Sequence, residues 1–365
     1  MRIDQVIPSL VGRDAIGLHT IEVRAVLRSA GFDSDIYYST CTPDVAHEGY
    51  PVADLGSDSR DRWLLYQSSI GSPVADIFLD RPEPKIVNYH NITPASLLAP
   101  WEPDVAFEVD LGRRQLARMA TSSRLAVADS TFNEGELLAA GFTTTTVVPL
   151  LIDFSARSAD PDEATAERLR RARRRGGADL VFVGKVSPHK AQHDLVKAFA
   201  LYRRVYDPRA RLHLVGSPLG ERYIAALRRA IEELDLADAV EITGSVTSGE
   251  LAAYYSVADA FVCASDHEGF CVPLVEAMAS NLPIVAYGVA AVPETVGRAG
   301  LVIPTKDPLY LAAAIDRVVT DDPLRDALTK AGRKRVAELS IETSRRRFRD
   351  AVRATVEAAG HQPSR

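Results

Sequence analysis

Short apolar runs alternate with longer amphipathic stretches from one end of the chain to the other. Ile3–Leu10, Ile36–Tyr38, Trp63–Tyr66, Lys85–Tyr89 and Leu125–Ala128 are too short for buried helices and read as strands. Gly17–Ala30 has helical periodicity and is followed by Gly31 at the position that favours a left-handed terminating residue. Thr93 followed by Pro94 predicts another helix start. In Ser130–Ala140, Thr131 and Glu134 have capping-box spacing and Gly141 marks the end. The alternation returns later with strands at Leu180–Val183, Arg211–Val215, Val240–Ile242, Ala260–Ala264 and Pro283–Ala286. Helices are expected at Gln192–Tyr206, Glu221–Leu234, Ser248–Ser256 and Pro273–Ala279. Strands alternating with helices imply an α/β class with mostly parallel sheets covered on both faces.

The polar stretch Asp153–Asp179 interrupts this pattern. It holds six arginines within eight positions, Arg168, Arg170, Arg171, Arg173, Arg174 and Arg175, before Gly176-Gly177. A linker with a short exposed helix is expected there, and the anionic face of a membrane is a candidate partner for the cluster. The domains expected are residues 1–152, a linker at 153–178, and residues 179–340. A last helix at 341–365 is expected to return to the N-terminal domain.

The 365 residues are long enough for two domains. With 43 Lys+Arg against 49 Asp+Glu, the net charge of −6 argues against a sequence-independent nucleic-acid binder. Three cysteines, Cys41, Cys263 and Cys271, make no disulfide framework, which fits a reducing cytoplasmic compartment. The polar start MRIDQVIPSL is unlike a signal peptide, and no apolar run reaches the ~18 residues of a membrane span.

The most informative segment runs from Ser265 to Ala279. A strand ends, a loop turns at Gly269, and Pro273 is expected at the first helical position. The amides of Gly269, Phe270, Cys271 and Val272 then lie at a positive helix end, where anions bind. Glu268 precedes the helix, and Glu276 is expected in its first turn. Two carboxylates flanking an anion-binding turn suit a ligand with phosphates in the middle and hydroxyls at both ends, that is, a nucleotide sugar. Either carboxylate alone reads more simply as a surface or helix-dipole residue.

Glu268 and Glu276, with seven residues between them in EGFCVPLVEAMASNLPIVA, resemble the signature of retaining glycosyltransferases of family 4. Phe182–Lys190 resembles that family's donor-phosphate loop, with Lys185 after a glycine and Lys190 five positions on. Val257–Val262 and the stretch from Val292-Pro293-Glu294 to Pro304 also fit. Ser69–Pro73 and Tyr89–Pro94 resemble segments of polysaccharide mannosyltransferases. Cys271, and Val289-Ala290-Ala291, depart from the pattern where relatives carry glycine.

The resemblance implies a GT-B fold, two Rossmann-like domains whose parallel sheets face a central cleft. It implies transfer of a hexosyl group, with mannosyl the first expectation, from a nucleotide diphosphate sugar with retention. Glu276 would hold the ribose, Glu268 the transferred sugar, and Lys185 and Lys190 the diphosphate, near the amides of Gly269 and Phe270. His90 would contact the transferred sugar and be needed for activity, a catalytic residue with Glu268 and Lys190, and Gly12 and Gly17 would lie beside the donor phosphates. GDP-mannose is the first donor expected and a UDP-sugar the second; the acceptor would be a glycan, a lipid-linked sugar or a small metabolite. Asp33-Ser34-Asp35 and Asp160-Pro161-Asp162 have acid-x-acid spacing but read as surface turns, and the histidines lack paired ligand spacing, so no metal and no cofactor is expected. The alternatives are a catalytically inactive GT-B binding protein, a nucleotide-sugar epimerase and a glycoside hydrolase. A cytoplasmic location follows, with the inner membrane face as a peripheral contact.

Overall fold

The computed structural model describes residues 1–12, 14–154 and 159–360, which form two compact units. The first contains residues 1–96, 104–153 and the segment from Leu339 onward; the second contains residues 97–103 and 154–338. Residues 155–158 of the expected linker and 361–365 of the expected last helix lie outside the described residues.

The first unit is built on seven parallel strands: β1 (Arg2–Leu10), β2 (Ile36–Cys41), β3 (Tyr50–Pro51), β4 (Arg62–Ser68), β5 (Lys85–Tyr89), β6 (Ser123–Ala128) and β7 (Thr145–Val147). Their order is β3-β2-β1-β4-β5-β6-β7, with Gln5 opposite both Ile36 and Leu65. The chain therefore reverses direction of growth between β1 and β4, the switch point where such sheets open a crevice at their carboxyl ends. Helices α1 (Ala15–Ser29), α2 (Pro73–Asp80), α3 (Pro103–Ala120) and α4 (Thr131–Ala139) follow strands of this sheet or connect them. Gly31 and Gly141 end α1 and α4 with φ of 89° and 100°, as their positions predict.

The C-terminal helix Ile341–Ala358 belongs to this first unit. Its Phe348, Val352 and Val356 are fully buried with Val23 and Leu27 of α1 and with Trp63, Leu65, Ile86 and Leu125 of the sheet. Each such side chain contributes roughly 1.5–3 kcal/mol by leaving water, which is why the end of the sequence closes the first unit's core.

Two predicted helix starts shift. Thr93-Pro94 begins no α-helix; a single 3-10 turn, Ala95–Leu97, is followed by α3. Pro100 and Pro103 remove the N–H groups that a helix running on from Thr93 would need. The cap of α4 is Ser130, whose Oγ accepts from the Asn133 N–H at 3.2 Å, one residue earlier than the capping-box spacing predicts. Glu134 then lies too deep to reach back and instead accepts from Thr145 Oγ1 at 2.9 Å.

The second unit has six parallel strands: β8 (Asp179–Val183), β9 (Arg211–Val215), β10 (Val240–Gly244), β11 (Ala260–Cys263), β12 (Ile284–Tyr287) and β13 (Gly300–Ile303). Their order, β10-β9-β8-β11-β12-β13, repeats the logic of the first sheet, with the switch point between β8 and β11. The helices are α5 (Glu163–Arg173), α6 (Gln192–Val205), α7 (Glu221–Glu233), α8 (Ser248–Val257), α9 (Val272–Ala279), α10 (Val292–Val296), α11 (Pro308–Thr320) and α12 (Asp322–Glu338).

The arginine cluster falls mainly on α5, which packs on α8 and buries its own Ala166 and Leu169. Arg173 pairs with Asp259 at 2.6 Å, Arg168 with Glu241 at 3.2 Å, Arg170 with Glu163 at 2.9 Å and Arg174 with Glu167 at 2.7 Å. Much of the positive charge is thus neutralised within the unit. The acid-x-acid pairs are also occupied: Asp35 pairs with Arg2 and Arg28, and Asp162 caps α5 by accepting from the Thr165 N–H at 2.8 Å.

Neighbouring strands β8, β9 and β10 carry an ionic ladder. Arg211 grips Asp179 through two bonds of 2.7 and 2.8 Å, and His213 bridges Asp179 at 3.1 Å and Glu241 at 2.9 Å. Burial works against a charged His213, but hydrogen bonds to Asp179 and Glu241 outweigh it and raise its pKa above the ordinary 6.5. A pKa raised by folding adds stability that is complete below the unfolded value and is lost as pH rises through the folded one. His213→Ala is therefore expected to lower unfolding free energy by about 1.5–3 kcal/mol at pH 6 and by clearly less at pH 9. Chemical denaturation at both pH values checks this; equal losses would mean that the imidazole is uncharged in the folded protein.

Candidate functional site

The two loops that leave the second sheet at its switch point meet through side chains. The loop after β8 carries Lys185, a 3-10 turn at Pro188–Lys190, and then α6. The loop after β11 carries Ser265 to Cys271 and then α9. Lys190 Nζ donates to Glu268 Oε2 at 2.7 Å, while Ser265 Oγ donates to Glu268 Oε1 at 2.7 Å. The Glu268 side chain is 5% exposed and the Lys190 side chain 20% exposed, so the pair is largely buried. Burial opposes the Lys190 charge, but Glu268 more than compensates and raises the Lys190 pKa. The ammonium is thus kept at neutral pH.

Backbone contacts lock the loops together. The Asp266 N–H donates to His189 O at 2.8 Å, and Lys306 reaches both Asp266 at 2.5 Å and Asp194 at 3.3 Å. Burial, reinforced by the nearby Lys190, holds His189 well below the usual histidine range, so it adds no cation of its own. Lys185 is exposed, and its ammonium has no ion pair among the described residues.

Helix α9 begins at Val272 with Pro273 as its second residue, one position earlier than predicted. Glu276 is consequently the fifth residue, beyond the first turn, where its Oε2 accepts from Tyr255 OH at 3.1 Å. The N-cap Cys271 has φ of 66°, a left-handed conformation, and Ala290 has φ of 50°. Both lie where relatives were expected to carry glycine, and a side chain there costs roughly 1 kcal/mol of backbone strain. Tertiary contacts hold these turns: Thr295 Oγ1 donates to Phe270 O at 2.6 Å and the Ala291 N–H to Glu268 O at 3.2 Å. Gly269 is half-buried, Phe270 buried and Val272 half-buried along the same turn.

Cys271 also meets Cys263, the last residue of β11. A hydrogen bond between the two thiols, with burial opposing it, lowers the Cys263 pKa; the same bond and burial push Cys271 well above the thiol range. A cavity of about 580 Å³ lined by Phe154, Leu251, Tyr255, Met278 and Arg333 reaches Glu276 but not Glu268 or Lys190.

The other site candidates belong to the first unit. His90 follows β5; its Nδ1 lies 3.0 Å from Asp129 and its Nε2 2.7 Å from Gln67 Oε1, and its side chain is 1% exposed. Gln67 passes the chain on to Gln5 Oε1 at 2.7 Å, so Asp129, His90, Gln67 and Gln5 form a buried line across the sheet's central strands. Burial raises the Asp129 pKa. A ligand contact at the His90 ring would have to displace Gln67 or Asp129. Gly12 donates its N–H to Thr42 Oγ1 at 3.2 Å. At Gly17 a Cβ would stand 2.0 Å from Val11 O, so only glycine lets α1 start against the end of β1.

Sequence reasoning missed Ser265, Lys306 and Tyr255 as partners of the two loops, and Asp129 and Gln67 as partners of His90. Ser265, three residues from Glu268, was the one detectable signal. The others come from distant elements and carry no local mark.

Comparison with known proteins agrees with this architecture. Residues 165–335 match the family described as Glycosyl transferases group 1. A GDP-mannose-dependent alpha-(1-6)-phosphatidylinositol monomannoside mannosyltransferase of Mycobacterium tuberculosis is 31% identical over 184 residues, 48% of this chain and 47% of the relative. A D-inositol 3-phosphate glycosyltransferase of Geodermatophilus obscurus is 30% identical over 309 residues, 80% of this chain and 62% of the relative. The chain thus spans about half to three-fifths of the length of these curated relatives. Among solved structures, Anabaena HepE in complex with UDP and glucose superposes with a TM-score of 0.76 at 16% identity, covering 97% of this chain and all (100%) of that one. The sucrose-phosphate synthase of Thermosynechococcus elongatus gives 0.73 at 21% identity, covering 98% and 100%. The chain has the GT-B fold, with two Rossmann-like domains, and over residues 165–335 it is similar to the glycosyl transferases group 1 family.

Proposed function

We propose that this protein transfers a hexosyl group from a nucleotide diphosphate sugar to a hydroxyl of its acceptor, with retention and without a catalytic metal. The observation that carries the reading is the Lys190–Glu268 pair at the switch point of the second sheet, a cation and a carboxylate from two different loops beside the start of α9. An ammonium has three N–H donors, so Lys190 can keep Glu268 and still donate to a diphosphate. Lys185 adds a second positive charge on the same loop, and the positive end of α9 with the amides of Gly269 to Val272 adds a third source of anion stabilisation.

Glu268 then accepts hydroxyls of the transferred sugar, and Glu276 those of the ribose. In the reaction, the bond between the anomeric carbon and the phosphate oxygen breaks, and the diphosphate departs with the electron pair. The acceptor oxygen adds from the face the phosphate leaves, and its proton passes to a phosphate oxygen. Lys190, Lys185 and the amides stabilise the charge that develops on the leaving group, which is electrostatic catalysis from fixed groups.

A mannosyl group from GDP-mannose is the first donor in this reading, in keeping with the mycobacterial relative; HepE, seen with UDP-glucose, supports a UDP-sugar as second. Acceptors named for the relatives, a phosphatidylinositol mannoside and an inositol phosphate, favour a polyhydroxylated acceptor, free or lipid-linked. His90 keeps the catalytic part expected of it, a contact to the transferred sugar, made when its ring gives up Gln67 or Asp129.

Three outcomes test the proposal. Transfer should persist in EDTA; loss on chelation, restored by Mg²⁺ or Mn²⁺, would overturn the metal-free account. Lys190→Ala should weaken binding of the nucleoside diphosphate by about 1.5–3 kcal/mol and leave the nucleoside unaffected, as read by calorimetry. Equal weakening of both ligands would make Lys190 a structural residue only. Finally, Glu276→Ala should weaken diphosphate and sugar-bearing donor alike, whereas Glu268→Ala should spare the diphosphate and lower turnover roughly 30- to 150-fold. A folded Glu268→Ala protein that no longer binds diphosphate would reverse the donor's orientation. Binding of diphosphate with no turnover on any polyhydroxylated acceptor would favour an inactive binding protein instead.

A further inference from the structure

The floor beneath Glu268 carries donor atoms of a second kind. Cys263 ends β11 with no exposure, Cys271 caps α9 with 9% exposure, and Glu268 between them is 5% exposed. The two sulfurs and a Glu268 carboxylate oxygen all lie within 4.8 Å of one another. We propose that Cys263, Cys271 and Glu268 form a binding site for a thiophilic divalent cation such as Zn²⁺, and that its occupation withdraws Glu268 from sugar binding and inhibits transfer. The inhibition rests on the role assigned to Glu268 above; the cation site itself does not.

The donor set suits the ion. Two sulfurs and one carboxylate oxygen select Zn²⁺, Co²⁺ or Cd²⁺ over Mg²⁺, which prefers oxygen ligands only. A tetrahedral ion with bonds of about 2.0–2.3 Å needs its ligand atoms somewhat under 4 Å apart. The three groups thus require only a small inward movement. Cys271 supplies that reach because its backbone is left-handed at the head of α9; a glycine there would bring no sulfur to Cys263.

Charge and hydrogen bonding also balance. Binding the cation releases the two thiol protons to solvent, and the two thiolates offset its charge. Glu268 gives one oxygen to the ion and keeps Lys190 on the other, so the pair seen at 2.7 Å becomes an outer-shell contact that orients the ligand. Ser265, which lies 3.3 Å from the Cys263 sulfur and 2.7 Å from Glu268 Oε1, is placed to hydrogen-bond a ligand sulfur or a water in the fourth position. Lys190, 20% exposed, is the most solvent-accessible side chain of this cluster. Once bound, the ion holds Glu268 against the floor, where the carboxylate no longer meets sugar hydroxyls.

The test is titration of the full chain with Cd²⁺ under anaerobic reducing conditions, read by sulfur-to-metal charge-transfer absorption. One equivalent should bind, excess Mg²⁺ should not compete, and Cys41→Ser should leave the signal intact. Cys263→Ala combined with Cys271→Ala should abolish it, with circular dichroism confirming the fold. Glu268→Gln, close to isosteric, should weaken binding at least about tenfold, the size typical even for an outer-shell partner. Absence of the band in the wild type, its persistence in the double variant, or an unchanged affinity in Glu268→Gln would each overturn the site. Nucleoside-diphosphate binding measured without Cd²⁺ separates the two claims: its absence overturns the transferase reading alone. Cd²⁺ bound at one equivalent with undiminished transfer overturns the inhibition.

Discussion

The contact between Lys190 and Glu268 organises the carboxyl edge of the second unit's sheet at its switch point. A carboxylate only 5% exposed is costly to bury unless paired, and breaking a buried pair by removing one partner typically costs about 3–5 kcal/mol. The loops after β8 and β11 therefore sit against each other because the alternative leaves a charge without a partner. The bond from Asp266 to the His189 carbonyl and the bridge from Lys306 extend the same junction.

Strain is concentrated at the same junction. Cys271 and Ala290 adopt left-handed backbone conformations without being glycine. The bonds from Thr295 and Ala291 to the turn offset that cost by tying α10 to the head of α9. The consequence is chemical as well as conformational: a Cβ at residue 271 carries a sulfur into contact with Cys263, next to the carboxylate that the donor sugar is proposed to meet.

The first unit uses a different device. Its sheet buries Gln5, Gln67, Asn88 and His90 on central strands or at their ends, with Asp129 just beyond β6. Polar groups in a parallel sheet covered on both faces persist only when each finds a partner. The line from Asp129 through His90 and Gln67 to Gln5 meets that condition, and it makes the His90 ring a structural tie at the carboxyl edge of β5.

Local pattern was enough for much of this protein. Apolar runs bounded by polar segments determined most of the strands, and Gly31 and Gly141 determined two helix ends, because backbone conformation there depends on neighbouring residues. The Glu268–Glu276 spacing and the two lysines of the preceding loop likewise marked the candidate site, since a strand, a turn and a helix start are contiguous in sequence. Helix starts at Thr93, Thr131 and Pro273 moved because prolines and competing partners such as Ser130 decide between caps that look alike locally. Tertiary structure alone decided which atoms meet. Lys190 and Glu268 are 78 positions apart, and Phe348 fills a core begun by Ile3. Such contacts are selected by burial and charge pairing once the sheets have formed, and those energies belong to the folded neighbourhood, which no stretch of sequence carries by itself.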